Sequence, residues 1–202
     1  MPKRTISLLV TIVLSFFWCL SATAQVDDAV LLHKEHWNAG VFAGGGNGIG
    51  LRSGVHFFRA GGRIGRVMTG QKGSGLFRGT FEIDSELTPV EVVSWPNYKS
   101  VYGFGFNPLV MKWNFTSGKR IVPFVEAVGG LLWTTENIPP GDTAQINFQS
   151  GAGFGMHIFT RPNRAITWDI RATHISNASI GNHNPGVNAS VQFTLGYTWF
   201  RK

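Results

Sequence analysis

The chain has 202 residues and a formal net charge of +7, with 26 glycines and 13% aromatic residues. That length allows one domain with a substantial core. The basic balance raises nucleic acid as a partner, but no Lys/Arg cluster or binding motif supports it; attraction to anionic lipid head groups fits better.

Residues 1–24 read as a secretory signal peptide. Lys3 and Arg4 form a short positive region, Ile6 to Leu20 a mostly apolar run, and Ala22-Thr23-Ala24 a small-residue cleavage site. The apolar run is shorter than the roughly 20 residues a spanning helix needs. The chain's one cysteine, Cys19, lies inside this signal behind bulky Phe17 and Trp18, which argues against a lipidation site. Residues 25–202 then form a single domain that is exported without relying on disulfides. Nothing after residue 24 approaches a transmembrane helix, so any membrane crossing must be made by strands.

His33 and His36 in HKEH lack metalloprotease spacing, and no metal site or cofactor is expected. The glycine run GGGNGIG, Gly44 to Gly50, superficially matches a phosphate loop, but no helix pattern follows it. From there onward alternation dominates. In LFRGTFEIDSEL, Phe77, Phe81, Ile83 and Leu87 oppose Arg78, Thr80, Glu82, Asp84 and Glu86. In QINFQSGAGFGMHI, Ile146, Phe148, Ala152, Phe154, Met156 and Ile158 oppose Gln145, Asn147, Gln149, three glycines and His157. In VQFTLGYTWF, Val191, Phe193, Leu195, Tyr197 and Trp199 share one face. Such sustained period-two patterns predict strands.

Eight runs are predicted, at about 37–46, 55–68, 74–88, 100–115, 119–134, 144–160, 165–177 and 188–200. The fourth changes phase at Asn107-Pro108, where a bulge would absorb the slip. Connections after runs two, four and six are predicted short, and those after runs one, three, five and seven longer. An even number of long strands, with short turns at one end, predicts an all-β, eight-stranded antiparallel transmembrane β-barrel of the outer-membrane type. A soluble periplasmic sandwich or lipocalin-like barrel would also alternate. It would bury its aromatic face, whereas here the opposite face carries Gly, Thr, Gln and paired charges suited to a narrow polar lumen.

Run seven reads AITWDIRATHIS. Ile166, Trp168, Ile170 and Ala172 alternate with Thr167, Asp169, Arg171 and Thr173. His174 and Ser176 continue the apolar parity, so they point outward toward the bilayer. In a barrel whose N-terminus is periplasmic, this strand ends near the outer leaflet. Parity alone leaves two readings open: an interfacial rim where strand ends meet head groups, or a serine nucleophile activated by a histidine base and aimed at a lipid ester.

The motif HISNAS followed by NPGVN, on the seventh strand and last long loop, closely resembles the outer-membrane lipid A 3-O-deacylases of the PagL type. The resemblance in architecture covers residues 25–202; its specific part is residues 174–188. It implies hydrolysis of the ester-linked acyl chain at position 3 of lipid A, in lipopolysaccharide of the outer membrane, without metal or cofactor. By the same resemblance His174 is the general base and Ser176 the nucleophile. The backbone N–H of Ser179, where the family often has glycine, and the side chain of Asn184 form the oxyanion hole.

Asn188 departs from the family pattern, which places a glutamate there to orient the imidazole. An asparagine carbonyl can accept a hydrogen bond, as in Cys-His-Asn hydrolases, but supplies no charge. Simple parity from run eight also puts Asn188 on the lumen side, so its role requires a bulge. Glu82, Asp84, Glu86, Glu126 and Asp169 share the lumen parity and are poor substitutes. The departure predicts a slower enzyme or one that has lost activity. The alternative is accordingly a catalytically inactive small barrel with a structural or adhesive role.

Overall fold

The computed structural model describes residues 32, 36–117, 120–141 and 143–202; the expected signal peptide lies outside them, as does His33. Eight strands run in chain order: β1 Trp37–Gly48, β2 His56–Val67, β3 Gly79–Ser94, β4 Val101–Phe115, β5 Ile121–Ile138, β6 Ala144–Arg161, β7 Arg164–Ser176 and β8 Val187–Arg201. Each pairs antiparallel with the next, and β1 pairs with β8, closing the barrel and leaving no free sheet edge. Among the described residues no helix is long and apolar enough to cross a membrane.

Side-chain alternation explains the closure. The outer wall carries exposed Val41, Ile64, Leu87, Phe104, Met111, Val125, Phe154, Ile166, Phe193 and Leu195. The inside is polar and charged. Arg171 holds Glu86 through two bonds of 2.6 and 2.7 Å and Glu126 through bonds of 2.6 and 3.1 Å. Arg63 bridges Glu86 and Asp169, both at 3.1 Å. Lys112 pairs with Glu82 and Asp84. Every one of these charges is buried, so removing a single partner would strand the others in a medium that cannot solvate them.

Two apolar clusters cap this polar middle. Leu32, Val67, Val122, Phe159, Ala165 and Phe200 fill the end where β6 turns into β7. Val55, Phe57, Val93, Trp95, Val101, Leu132, Ile138, Ile175 and Val187 fill the end where β7 leads into β8.

The third strand departs from expectation. It spans Gly79–Ser94 rather than 74–88. Residues Gly75–Phe77 form a 3-10 turn, leaving Leu76 and Phe77 exposed instead of contributing Phe77 to the strand face. At the other end the strand passes through Pro89, because a register shift between Thr88 and Glu91 resets the alternation. The expected bulge at Asn107-Pro108 is present: Phe106 pairs with Leu131 and Leu109 with Gly129, so β4 spends an extra residue there.

The connections are less asymmetric than expected. The β6–β7 turn is only residues 162–163, but the β2–β3 connection on the same end runs over 68–78. Its length comes from the run-three residues that form the 3-10 turn rather than strand.

Candidate active site

β7 carries the alternation without a break. Thr167, Asp169, Arg171, Thr173 and Ile175 are buried inside, whereas Ala172 is exposed and His174 and Ser176 half-exposed on the outer wall. The histidine and serine therefore stand on one outward face, separated by inward Ile175. They lie at the strand end capped by the Ile175–Val187 cluster, so the lumen behind them is filled with side chains.

The neighbouring strands fix what surrounds the pair. On the β6 side, His174 lies opposite Ser150 and Ser176 opposite Phe148. On the β8 side, Thr173 pairs with Ser190 and Ile175 with Val187. One residue of β7, His174, thus faces two of β8, Asn188 and Ala189. This is a bulge of the kind that a role for Asn188 requires, and it breaks the parity count carried down from the rest of β8. The side-chain placement of Asn188 lies outside what the structure describes. A shallow outward groove of about 420 Å³ is lined by Val128, Ser150, Gly151, Ala172, Thr173, His174 and Ala189.

The loop 177–186 leaves directly from Ser176 and is organised by Asn177, a residue that sequence reasoning passed over. Asn177 is 2% exposed. Its N–H donates to Asn184 Oδ1 at 3.1 Å, and its Nδ2 donates to the His183 carbonyl at 2.8 Å. Its Oδ1 accepts from the Ser179 N–H at 2.9 Å. Anchoring Asn184 through its oxygen leaves Nδ2 as the donor end of that amide. The Ser179 N–H, by contrast, is engaged within the loop. Ala178 and Ser179 have φ of 49° and 63°, the left-handed region that glycine occupies most easily. A signal for Asn177 was present in the sequence: a short polar side chain at a strand-to-loop junction is an Asx-turn former.

The lumenal carboxylates Glu82, Asp84, Glu86, Glu126 and Asp169 are buried and face away from His174. They belong to the internal ion-pair network and do not join the outward pair.

A closed eight-stranded barrel with an apolar outer wall and a lumen sealed by side chains is an outer-membrane β-barrel, here with a histidine and a serine on its lipid-facing side. A family model described as lipid A 3-O-deacylase (PagL) matches residues 76–198, and the chain belongs to that family. Among solved structures, the outer membrane enzyme PagL is similar over 80% of this chain and 98% of its own, at 19% identity and a TM-score of 0.52. The N-terminal β-barrel domain of Pseudomonas aeruginosa OprF is similar over 83% of this chain and 98% of its own, at 13% identity and a TM-score of 0.51. At those identities the two likenesses establish the fold alone. No curated protein matches the chain.

Proposed function

We propose that the protein is an esterase of the outer membrane that removes the acyl chain at position 3 of lipid A, with Ser176 as nucleophile and His174 as base. The observation that carries this reading is the outward placement of both side chains on the seventh strand of a family member, beside an asparagine-organised loop. A lipid lying against the barrel reaches such a pair laterally, without entering the lumen. The chain is taken to reach the outer membrane by way of a signal peptide over residues 1–24.

In the first half-reaction Ser176 Oγ attacks the ester carbonyl carbon as His174 accepts the hydroxyl proton. The carbonyl oxygen becomes an oxyanion, stabilised by Asn184 Nδ2. Collapse breaks the bond to the sugar oxygen, which receives from His174 the proton that came from Ser176 and leaves as the free 3-hydroxyl. The acyl group remains on Ser176. Water then attacks this acyl-serine, its proton passing through His174 to Ser176 Oγ, and the fatty acid departs. The Ser179 N–H joins the oxyanion hole by sharing or exchanging its bond to Asn177 Oδ1. Asn188, at the bulge opposite His174, offers a neutral acceptor where the family has a carboxylate.

Mass spectrometry of lipid A from cells expressing the protein tests the reading, with Ser176→Ala as control. Loss of one 3-hydroxyacyl chain with the parent alone is expected. Equal turnover by Ser176→Ala would overturn the mechanism. No turnover by a correctly folded parent would favour the inactive barrel.

A further inference from the structure

We propose that the barrel end where β1 begins and β8 finishes binds the phosphate head groups of an anionic phospholipid on its outer wall. The inference needs only a membrane barrel with that end periplasmic, and it is independent of the Ser176–His174 reading. Strand pairing from β6 round to β2 sets six side chains along this edge. Arg161 lies opposite Arg164, and Arg164 opposite Trp199. Trp37 lies opposite both Arg201 and Arg66. Five of the six share the parity of the exposed apolar wall: Arg164 with Ile166, Trp199 and Arg201 with Leu195, Trp37 with Val41, and Arg66 with Ile64. Arg161 joins them through the register shift after Phe159. The Arg66 guanidinium sits over the Trp37 ring, 5.4 Å from its centre.

Like charges directly opposite on neighbouring strands repel, so Arg161 against Arg164 is a poor arrangement unless an anion lies against both. The described carboxylates do not supply one. All of them except Glu136 are buried, and Glu136 pairs with Lys99 at 2.7 Å at the other end of the barrel. Arg164 Nε is itself buried with no hydrogen-bond partner among the described residues. A phosphate diester offers oxygens that match guanidinium forks, and tryptophan rings favour the depth where head groups meet acyl chains. The adjoining β2–β3 turn points to a lipid rather than a soluble anion. It exposes Lys72 and Arg78 together with Leu76 and Phe77, which are 82% and 75% exposed. These apolar side chains are not on a loose loop: Ser117 Oγ donates to the Gly75 carbonyl at 2.6 Å, and the Thr116 N–H to the Arg78 carbonyl at 2.8 Å. Cations beside a fixed apolar pair suit the boundary between head groups and acyl chains. This end then grips the phospholipid leaflet, while His174 and Ser176 stand at the opposite end.

The experiment places the folded barrel in phosphatidylcholine vesicles and measures, by electron spin resonance, how much spin-labelled phosphatidylglycerol or phosphatidylcholine it holds at its surface. Each variant is first checked for heat-modifiable migration. The parent should prefer phosphatidylglycerol by about fivefold, the scale of one basic side chain near an anionic lipid surface. The preference should shrink at about 1 M salt, where charges are screened within about 3 Å. Arg161→Gln with Arg164→Gln should remove most of it, and so should the independent pair Arg66→Gln with Arg201→Gln, which carries the test if the first pair does not fold. Arg161→Lys with Arg164→Lys, which keeps the charge, should retain much of it, and Arg52→Gln at the opposite end should leave it unchanged. Equal association of the two lipids with the parent overturns the proposal. So does a preference that survives all four glutamines, or one lost equally with Arg52→Gln, which would mark net charge rather than a site. Displacement of the labelled lipid by inorganic phosphate, beyond that by chloride at the same ionic strength, would mark a free-phosphate site and overturn the lipid assignment.

Discussion

Ile175 and Val187 face each other across the β7–β8 seam, each 1% exposed, and this inward pair fixes His174 and Ser176 on the outer wall. A strand alternates its side chains, so the residue between the two polar groups must be buried if both are to face the lipid. The apolar cap of the barrel and the outward site are two sides of the same three residues.

Ile175→Ala should therefore affect both. Removing a buried side chain of this kind costs about 2–5 kcal/mol, depending on how far the site collapses. Urea unfolding in vesicles should show a lowered midpoint. A conservative Ile175→Val should lose far less and keep the rate close to the parent's.

Asn184→Ala removes the amide whose oxygen is tied to the Asn177 N–H. If its Nδ2 is the oxyanion donor, kcat falls by about 100–1000-fold, as for comparable donors, while folding is unchanged. Steady-state hydrolysis of a soluble ester or of lipid A in micelles measures it. A fall of less than threefold would remove Asn184 from the oxyanion hole.

The alternation of β7 was legible in the sequence because it runs from Ile166 to Ser176 with no slip, and period two is a short-range property. The bulge at Pro108 was legible too, since a proline coincides with a change of phase. The third strand was misplaced because Leu87-Thr88-Pro89 looks like an end, whereas pairing with β4 carries the chain past it. The Asn188–Ala189 bulge could not be read from β8 alone. It is a difference in count between two strands, Thr173 to Ile175 against Ser190 to Val187, and appears only once their register is known. Asn177 carried the general signal of an Asx-turn former, but its bonds to His183 and Asn184 depend on how the loop folds back on itself.

Ser179→Gly separates strain from chemistry. Ser179 holds φ of 63°, a conformation costing about 1 kcal/mol for a residue with a Cβ, and its N–H rather than its side chain is the group implicated. The glycine variant should be at least as stable in urea unfolding and retain the parental rate. A large loss of activity would mean that the Ser179 side chain takes part.

Arg171→Ala should do the reverse of Asn184→Ala. It strands Glu86 and Glu126 inside the barrel, where no other described cation matches its four bonds to them. Breaking a buried ion network by removing one partner costs about 3–5 kcal/mol. Folding yield and unfolding midpoint should fall, while kcat of the folded fraction stays near the parent's because the lumen makes no contact with the ester.

Asn188→Glu tests what the missing carboxylate costs. The bulge sets residue 188 opposite His174, so the strand needs no rearrangement to bring a glutamate to that position. A carboxylate stabilises the imidazolium formed as Ser176 loses its proton, which a neutral amide cannot do by charge. Turnover in micelles should rise by about tenfold or more, the scale of a hydrogen bond gaining a full charge. An unchanged rate with a stable barrel would mean that residue 188 does not reach the imidazole.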